Sequence, residues 1–265
     1  MPADLDDKAV QPPESQEPSS GVAVLDRAFA ILNSFGPTDE RLTLTEMSRR
    51  TGLYKSTVLR LLGALEHGGF IRKLEDGQYA VGHQPLRLAA LYQRSFQVGP
   101  VIEPILQQIS RDLGETASFY VRQGDYRLVL YRVEPSRSVR VSIRVGEEFA
   151  IDKGASGKVL LAFSESQDTR WNDVRGQSWA VSYGERDPET ASVSVPVFGA
   201  TGELVGALTL SGPKGRFDTP PVITAALNNL LENAKRATLA LGGNGARYDA
   251  AIAEAGKDGF VVSRG

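Results

Sequence analysis

The chain has 265 residues, 41% of them hydrophobic and 23% charged, with a formal net charge of −2. These are the proportions of an ordinary globular protein with room for two modest domains. It holds no cysteine, which excludes disulfides and thiolate metal sites, and no apolar run approaches the ~18 residues of a membrane helix. The N-terminus lacks the charged-then-apolar pattern of a signal peptide, so a cytoplasmic protein without a membrane partner is expected.

In chain order, residues 1–20 carry Pro2, Pro12, Pro13 and Pro18, five acidic residues and little apolar surface. Such a segment cannot offset its own ordering entropy, and a disordered tail is expected. From Val22 to Phe35, the residues Val24, Leu25, Ala28, Phe29, Ile31 and Leu32 make an amphipathic helix, with Pro37 just past its end. That helix should complete a three-helix core.

Thr43-Leu44-Thr45-Glu46 has the form of a capping box, in which the Thr43 hydroxyl accepts from the Glu46 N–H and the Glu46 carboxylate reaches back. A helix of about two turns should run from Leu44 to Thr51-Gly52, where glycine permits left-handed closure, and must pack on a neighbour to be stable. The neighbour is Tyr54 to His67. There Val58, Leu61, Leu62 and Leu65 form one apolar stripe, and Ser56, Arg60, Gly63 and His67 form the opposite one, with Lys55 and Thr57 beside it. Short hydroxyls and a glycine allow close approach to a DNA groove, while Lys and Arg reach phosphates or guanine edges. His67 is weaker evidence for that face, because a histidine near a helix end also serves simply to stabilise the C-terminal dipole.

Gly68-Gly69 ends this helix. Phe70 to Lys73 and Gln78 to Val81 then flank Glu75-Asp76-Gly77, a strong hairpin signal. Two short helices followed by a hairpin read as a winged helix-turn-helix over residues 21–83. Between residues 41 and 73, seven Lys and Arg stand against Glu46 and Glu66, a local net of +5 in a chain that is negative overall. The candidate contacts to double-stranded DNA are Thr45, Lys55, Ser56, Thr57, Arg60, Arg72 and Lys73.

Residues 84–97 should form a linker helix, with Leu86, Leu88, Ala89 and Leu91 on it. A second domain is expected over 98–241. Val98, Val101, Ile102, Ile105, Leu106, Ile109 and Leu113 share a helical face, which Pro104 should bend or confine to an early turn. Thr116 to Val121 and Arg127 to Val133 read as strands about Gln123-Gly124-Asp125. Val139 to Val145 alternates strictly and should be a half-buried antiparallel strand. Val193 to Phe198 and Leu204 to Leu210 bracket a turn-rich loop, and Thr219-Pro220-Pro221 opens a helix carrying Ile223, Ala226, Leu227, Leu230, Ala234 and Leu241. Strands grouped between flanking helices indicate an α+β layer and not a doubly wound parallel sheet. Residues 242–265 look like a flexible tail with at most a weak helix at 247–255.

Gly154-Ala155-Ser156-Gly157-Lys158 invites comparison with a phosphate loop, but Asp152 stands where glycine is needed and Val159 where Ser or Thr is needed. It reads better as a glycine turn opening the helix of Val159, Leu160 and Leu161, whose first N–H groups could hold a carboxylate or other anion. The only histidines, His67 and His83, sit in or beside the DNA-binding half. No nucleophile triad, zinc site, cofactor or enzymatic activity is therefore expected.

The residues Leu44 to Leu53, Lys55-Ser56-Thr57-Val58, Arg60-Leu61-Leu62, Gly77-Gln78-Tyr79, Gly154 to Ala162, Val195 to Phe198, Gly206-Ala207-Leu208 and Ser211-Gly212-Pro213 together resemble the IclR (isocitrate-lyase-regulator) family of bacterial transcription factors. The resemblance runs from about Gly21 to Leu241. It implies an N-terminal winged helix-turn-helix, a linker helix and a C-terminal GAF-like domain, an antiparallel sheet flanked by helices. It also implies a homodimer or homotetramer on a palindromic operator, repressing or activating genes in response to a small-molecule effector such as an organic or aromatic acid. The family's effector pocket maps onto Val141 and Phe149, Ala155 and Ser156 in the glycine turn, and Ser192, Thr209 and Ser211 on the hairpin. The chain departs from the family in two places: Tyr54 stands where proline is frequent, and the segment between Ala162 and Gly184 is shorter than in relatives. Two rival functions are a DNA-binding architectural protein whose second domain only dimerises, and a small-molecule enzyme.

Overall fold

The computed structural model describes residues 20–36, 38–95, 97–164 and 168–257. The expected N-terminal tail lies outside them except for Ser20. The chain divides into two compact units, meeting between Tyr92 and Gln93.

The first unit contains α1 (Ala23–Asn33), α2 (Leu44–Thr51), α3 (Lys55–His67), β1 (Ile71–Lys73), β2 (Tyr79–Val81) and most of α4 (Gln84–Ser95). The Thr43 hydroxyl accepts from the Glu46 N–H at 3.2 Å and so starts α2, and Gly52 ends it at φ 69°. Only half of the capping box forms. The Glu46 carboxylate accepts from Arg49 at 2.7 Å and from Arg50 at 2.9 Å in place of reaching back to Thr43. Met47 on α2 packs against Val58, Leu61 and Leu62 on α3 and against Ile71 and Tyr79 of the wing, closing a small core. In the wing, Lys73 lies opposite Tyr79, and Leu42 extends the pairing by exchanging backbone hydrogen bonds with Tyr79 at 2.8 and 2.9 Å.

The amphipathic face expected on α1 is not buried as a whole. Ile31 is buried and Leu32 packs beside it, but Val24, Leu25 and Phe29 are exposed, because only the C-terminal end of the helix reaches this core.

The second unit contains α5 (Gly99–Leu113), β3 (Thr116–Gln123), β4 (Tyr126–Val133), β5 (Glu148–Ala150), α6 (Ala155–Ser164), α7 (Asn172–Gln177), β6 (Ala180–Tyr183), β7 (Thr190–Phe198), β8 (Leu204–Pro213), α8 (Pro220–Ala240) and α9 (Arg247–Ala255). Six strands form one antiparallel sheet in the order β5-β4-β3-β8-β7-β6. Neighbouring residues point to opposite faces, so Phe119, Leu130 and Leu208 join one core with α5, α8 and α9, while Tyr120, Val129 and Ala207 join another with α6. The fold is α+β, with helices on both sides of the sheet. Pro104 falls in the second turn of α5 on its exposed side, and the helix continues past it to Leu113.

Two expectations are corrected. Residues 139–145 form no strand, although Val141 and Ile143 are buried. Beside β4 the ladder position goes to β5, with Tyr126 opposite Ala150, and the Val141 carbonyl is instead held by the side chains of Thr116, at 3.2 Å, and Arg132. The segment after Leu241 is also not a loose tail over residues 242–257. Tyr248 on α9 is fully buried, with its hydroxyl 2.8 Å from both the Thr238 hydroxyl and the Pro196 carbonyl.

Candidate nucleic-acid interface and ligand cavity

All seven expected DNA contacts lie in the first unit. Thr45 is exposed on α2. On α3, Lys55, Ser56 and Arg60 are exposed and Thr57 is half-buried, while Arg72 and Lys73 are exposed on β1. The outward stripe of Ser56, Arg60, Gly63 and His67 is exposed along its length because Val58, Leu61 and Leu62 turn the opposite side into the core.

The basic residues separate by partner. Arg41 pairs with Asp76, Arg49 with Glu46, and Arg50 with both Glu46 and Asp39. Arg50 also donates to the Ser34 carbonyl at 2.9 Å, which ties the end of α1 to α2. Hydrogen bonds from Arg49 and then Arg50 hold the Glu46 carboxyl down at about 2, and Arg50 and the Gly36 N–H hold Asp39 below its ordinary range. These arginines brace the fold. Among the described residues Lys55, Arg60, Arg72 and Lys73 carry no ion pair, so within residues 41–73 the unpaired cations lie on α3 and the wing. Tyr54, noted in the sequence only as a departure, is 85% exposed at the start of α3 beside Lys55.

In the second unit a small cavity of about 30 Å3 opens between the sheet and the turn before α6. Ser156, Ser192, Thr209 and Ser211, four of the seven residues expected at the effector pocket, line it. The other three do not reach its wall: Val141 and Ala155 are buried in the core with α6, and Phe149 is half-buried beside that core. Thr209 is 2.8 Å from the Ser194 hydroxyl, whereas the buried Ser211 hydroxyl has no partner among the described residues.

Sequence reading missed the charged part of this wall. Arg127 on β4 and Arg186 line the cavity and both stack on Phe149, at 5.6 and 5.0 Å. Arg127 also lies 5.6 Å from the Tyr120 ring. For Arg127 the available signal was a charged residue bordering the apolar run Leu128 to Tyr131. Glu185 was missed as well. Its carboxylate accepts from the Gly154 N–H at 2.9 Å and from Lys158 at 2.5 Å, so the anion expected at the glycine turn is supplied by the chain itself.

A helix-turn-helix unit with an unpaired basic face, in one chain with an α+β domain that holds a polar cavity, defines the class of ligand-responsive DNA-binding regulators. The chain matches the IclR helix-turn-helix domain over residues 24–75 and the C-terminal domain of the bacterial transcriptional regulator IclR over residues 90–172 and 169–238. It belongs to the IclR family of bacterial transcriptional regulators. The transcriptional repressor IclR of Escherichia coli is 26% identical over 262 residues, covering 88% of this chain and 95% of that protein. The crystal structure of the Thermotoga maritima IclR, at 23% identity, superposes with a TM-score of 0.71 over 83% of this chain and 99% of that one. An IclR homologue from Microbacterium hydrocarbonoxydans complexed with 4-hydroxybenzoate, at 18% identity, superposes with a TM-score of 0.69 over 82% and 98%. These two structures share the fold.

Proposed function

We propose that this regulator binds a palindromic operator as a homodimer or homotetramer through α3 and the wing, and that a small organic acid in the cavity of the second unit modulates the binding. The observation that carries the reading is the separation of the basic residues, with Lys55, Arg60, Arg72 and Lys73 left unpaired on one unit. Lys55, Ser56, Thr57 and Arg60 would enter the major groove, with Thr45, Arg72 and Lys73 on phosphates. Self-association is supported by the apolar residues that α1 and α4 expose, among them Val24, Leu25, Phe29, Leu86, Leu88 and Leu91. The effector acts only through its differential affinity for two arrangements of the protein.

Relatives of this chain are named as regulators, and one structural neighbour holds 4-hydroxybenzoate. Both support a regulatory reading over an enzymatic one, and binding to a bacterial operator sets the site of action in the cytoplasm. No helix among the described residues is long and apolar enough to cross a membrane. The test is Arg60→Ala, measured by gel shift on the operator at several salt concentrations. A base contact predicts a loss of about 1–3 kcal/mol with relaxed specificity at one position, and a phosphate contact predicts a shallower salt dependence. Unchanged affinity and salt slope would remove Arg60 from the interface and weaken the assignment of α3 to it.

A further inference from the structure

We propose that the cavity takes a small aliphatic hydroxy acid whose carboxylate is anchored on Arg127 and not on the glycine turn. This rests on the reading of the cavity as the effector site and narrows that reading to one ligand class.

The glycine turn already holds one carboxylate, that of Glu185. Its Gly154 N–H and the neighbouring Lys158 are both satisfied by Glu185, so the N-terminus of α6 has its anion. Arg127 is in the opposite situation. It is 4% exposed, it donates through Nη1 to the Lys153 carbonyl, and its Nε is buried with no acceptor among the described residues. Among the described residues no carboxylate lies within ion-pair distance of it. A guanidinium stays charged, and burying it without a counter-ion is costly unless an anion arrives. Burial pushes its pKa down, and Arg186, which has no ion pair among the described residues, adds a second positive charge nearby. The sequence makes room for this arrangement: a Cβ on Gly154 would stand 2.7 Å from the Arg127 Nη1.

The rest of the wall selects for hydroxyls. Ser156, Ser182, Ser192, Thr209 and Ser211 line the cavity, and the Ser211 hydroxyl is buried without a partner among the described residues. An aromatic ring seated there would leave such groups unpaired, whereas a hydroxy acid would satisfy them. At about 30 Å3 the cavity is closed down, far below the roughly 300 Å3 or more of an open ligand site, so ligand entry requires its wall to move. Ile143, in the irregular segment that replaces the expected strand, forms part of that wall.

The test is isothermal titration and thermal shift on the full chain with matched probes: D-glycerate against glycerol and propionate, D-gluconate against sorbitol and hexanoate, and 4-hydroxybenzoate. At least one hydroxy acid should bind tenfold or more tightly than its neutral and its hydroxyl-free counterparts. Arg127→Met should abolish that binding while leaving the melting temperature of the free protein equal or higher, since it removes a buried unpaired charge. A purely structural arginine would instead give a lower melting temperature. Arg127→Lys should bind weakly and serves as the charge-retaining control. Hydroxy-acid binding that survives Arg127→Met overturns the anchor. Binding of 4-hydroxybenzoate alone overturns the ligand class while sparing the effector reading, and binding of no probe overturns both.

Discussion

The Lys158 ammonium lies 2.5 Å from one carboxylate oxygen of Glu185, and the other oxygen of that carboxylate accepts the Gly154 N–H at 2.9 Å. Partial burial alone would raise the Glu185 pKa, but these two donors outweigh it and hold the group below its ordinary value of 4.5. A carboxyl whose folded pKa is depressed stabilises the fold above its unfolded pKa and loses that contribution as pH falls through the folded value. Glu185→Gln should therefore lower the melting temperature at pH 7, and the difference from the parent should shrink as pH is taken below 4.5. The pair is partly exposed, so the effect at pH 7 should stay near or below about 1 kcal/mol. Calorimetry at pH 7 and pH 3 checks it, and a difference that persists unchanged at pH 3 would rule out the carboxylate as its source.

Glu46 provides a second pH signature, in the DNA-binding unit. Its carboxyl titrates at about 2, against an ordinary value of 4.5, because Arg49 and Arg50 donate to it. Its contribution to the first unit is thus complete above pH 4.5 and disappears between there and about pH 2. An NMR titration of the Glu46 side-chain carboxyl should show a midpoint near 2 that returns toward 4.5 when Arg49 and Arg50 are both replaced by Gln. A midpoint already near 4.5 in the parent would mean that these hydrogen bonds do not persist in solution.

Gly63 separates folding from recognition. It is exposed in the interior of α3, and a Cβ added there meets nothing within 4 Å. Gly63→Ala should stabilise α3 by about 0.5–1 kcal/mol, the usual gain in an exposed helix interior. If this face enters the groove, operator affinity should fall even as urea denaturation shows a more stable protein. Equal or tighter operator binding would put Gly63 outside the interface.

Tyr248 tests the C-terminal segment. It is fully buried, its hydroxyl is 2.8 Å from both Thr238 and the Pro196 carbonyl, and it packs in the core shared by α8 and the sheet. Tyr248→Phe should cost roughly 1–3 kcal/mol because it leaves a buried carbonyl short of a donor, and Tyr248→Ala should cost roughly 3–5 kcal/mol through the cavity it creates. Urea denaturation of the full chain measures both. A loss below 1 kcal/mol for the alanine variant would mean that α9 is dispensable to this domain.

The helix-turn-helix was legible because each of its signals is local. Thr43 capping α2, Gly52 closing it, the stripe of Val58, Leu61 and Leu62, and Gly77 in the wing turn all act within a few residues of where they stand. The α1 face misled for the same reason: periodicity reports that Val24, Leu25 and Phe29 share a side, but not whether another element lies against it. Residues 139–145 alternate as a strand would, yet pairing also requires a free ladder edge, and β5 holds the one beside β4.

By itself, then, the order of residues determined the α+β class and the winged helix with Ser56 and Arg60 outward, while the hydroxyls Ser156, Ser192, Thr209 and Ser211, which line one cavity, were pointed to by the family resemblance and not by any local pattern. Tertiary packing alone decided the charges around that cavity. Glu185 meets Gly154 from 31 residues away, and Arg127 on β4 meets Lys153 from 26 residues away. Capping, turns and periodicity depend on backbone hydrogen bonds between near neighbours, which the local residues specify. Whether a buried cation finds a counter-ion depends instead on which distant side chains close packing brings within a few ångströms, and no local pattern encodes that distance.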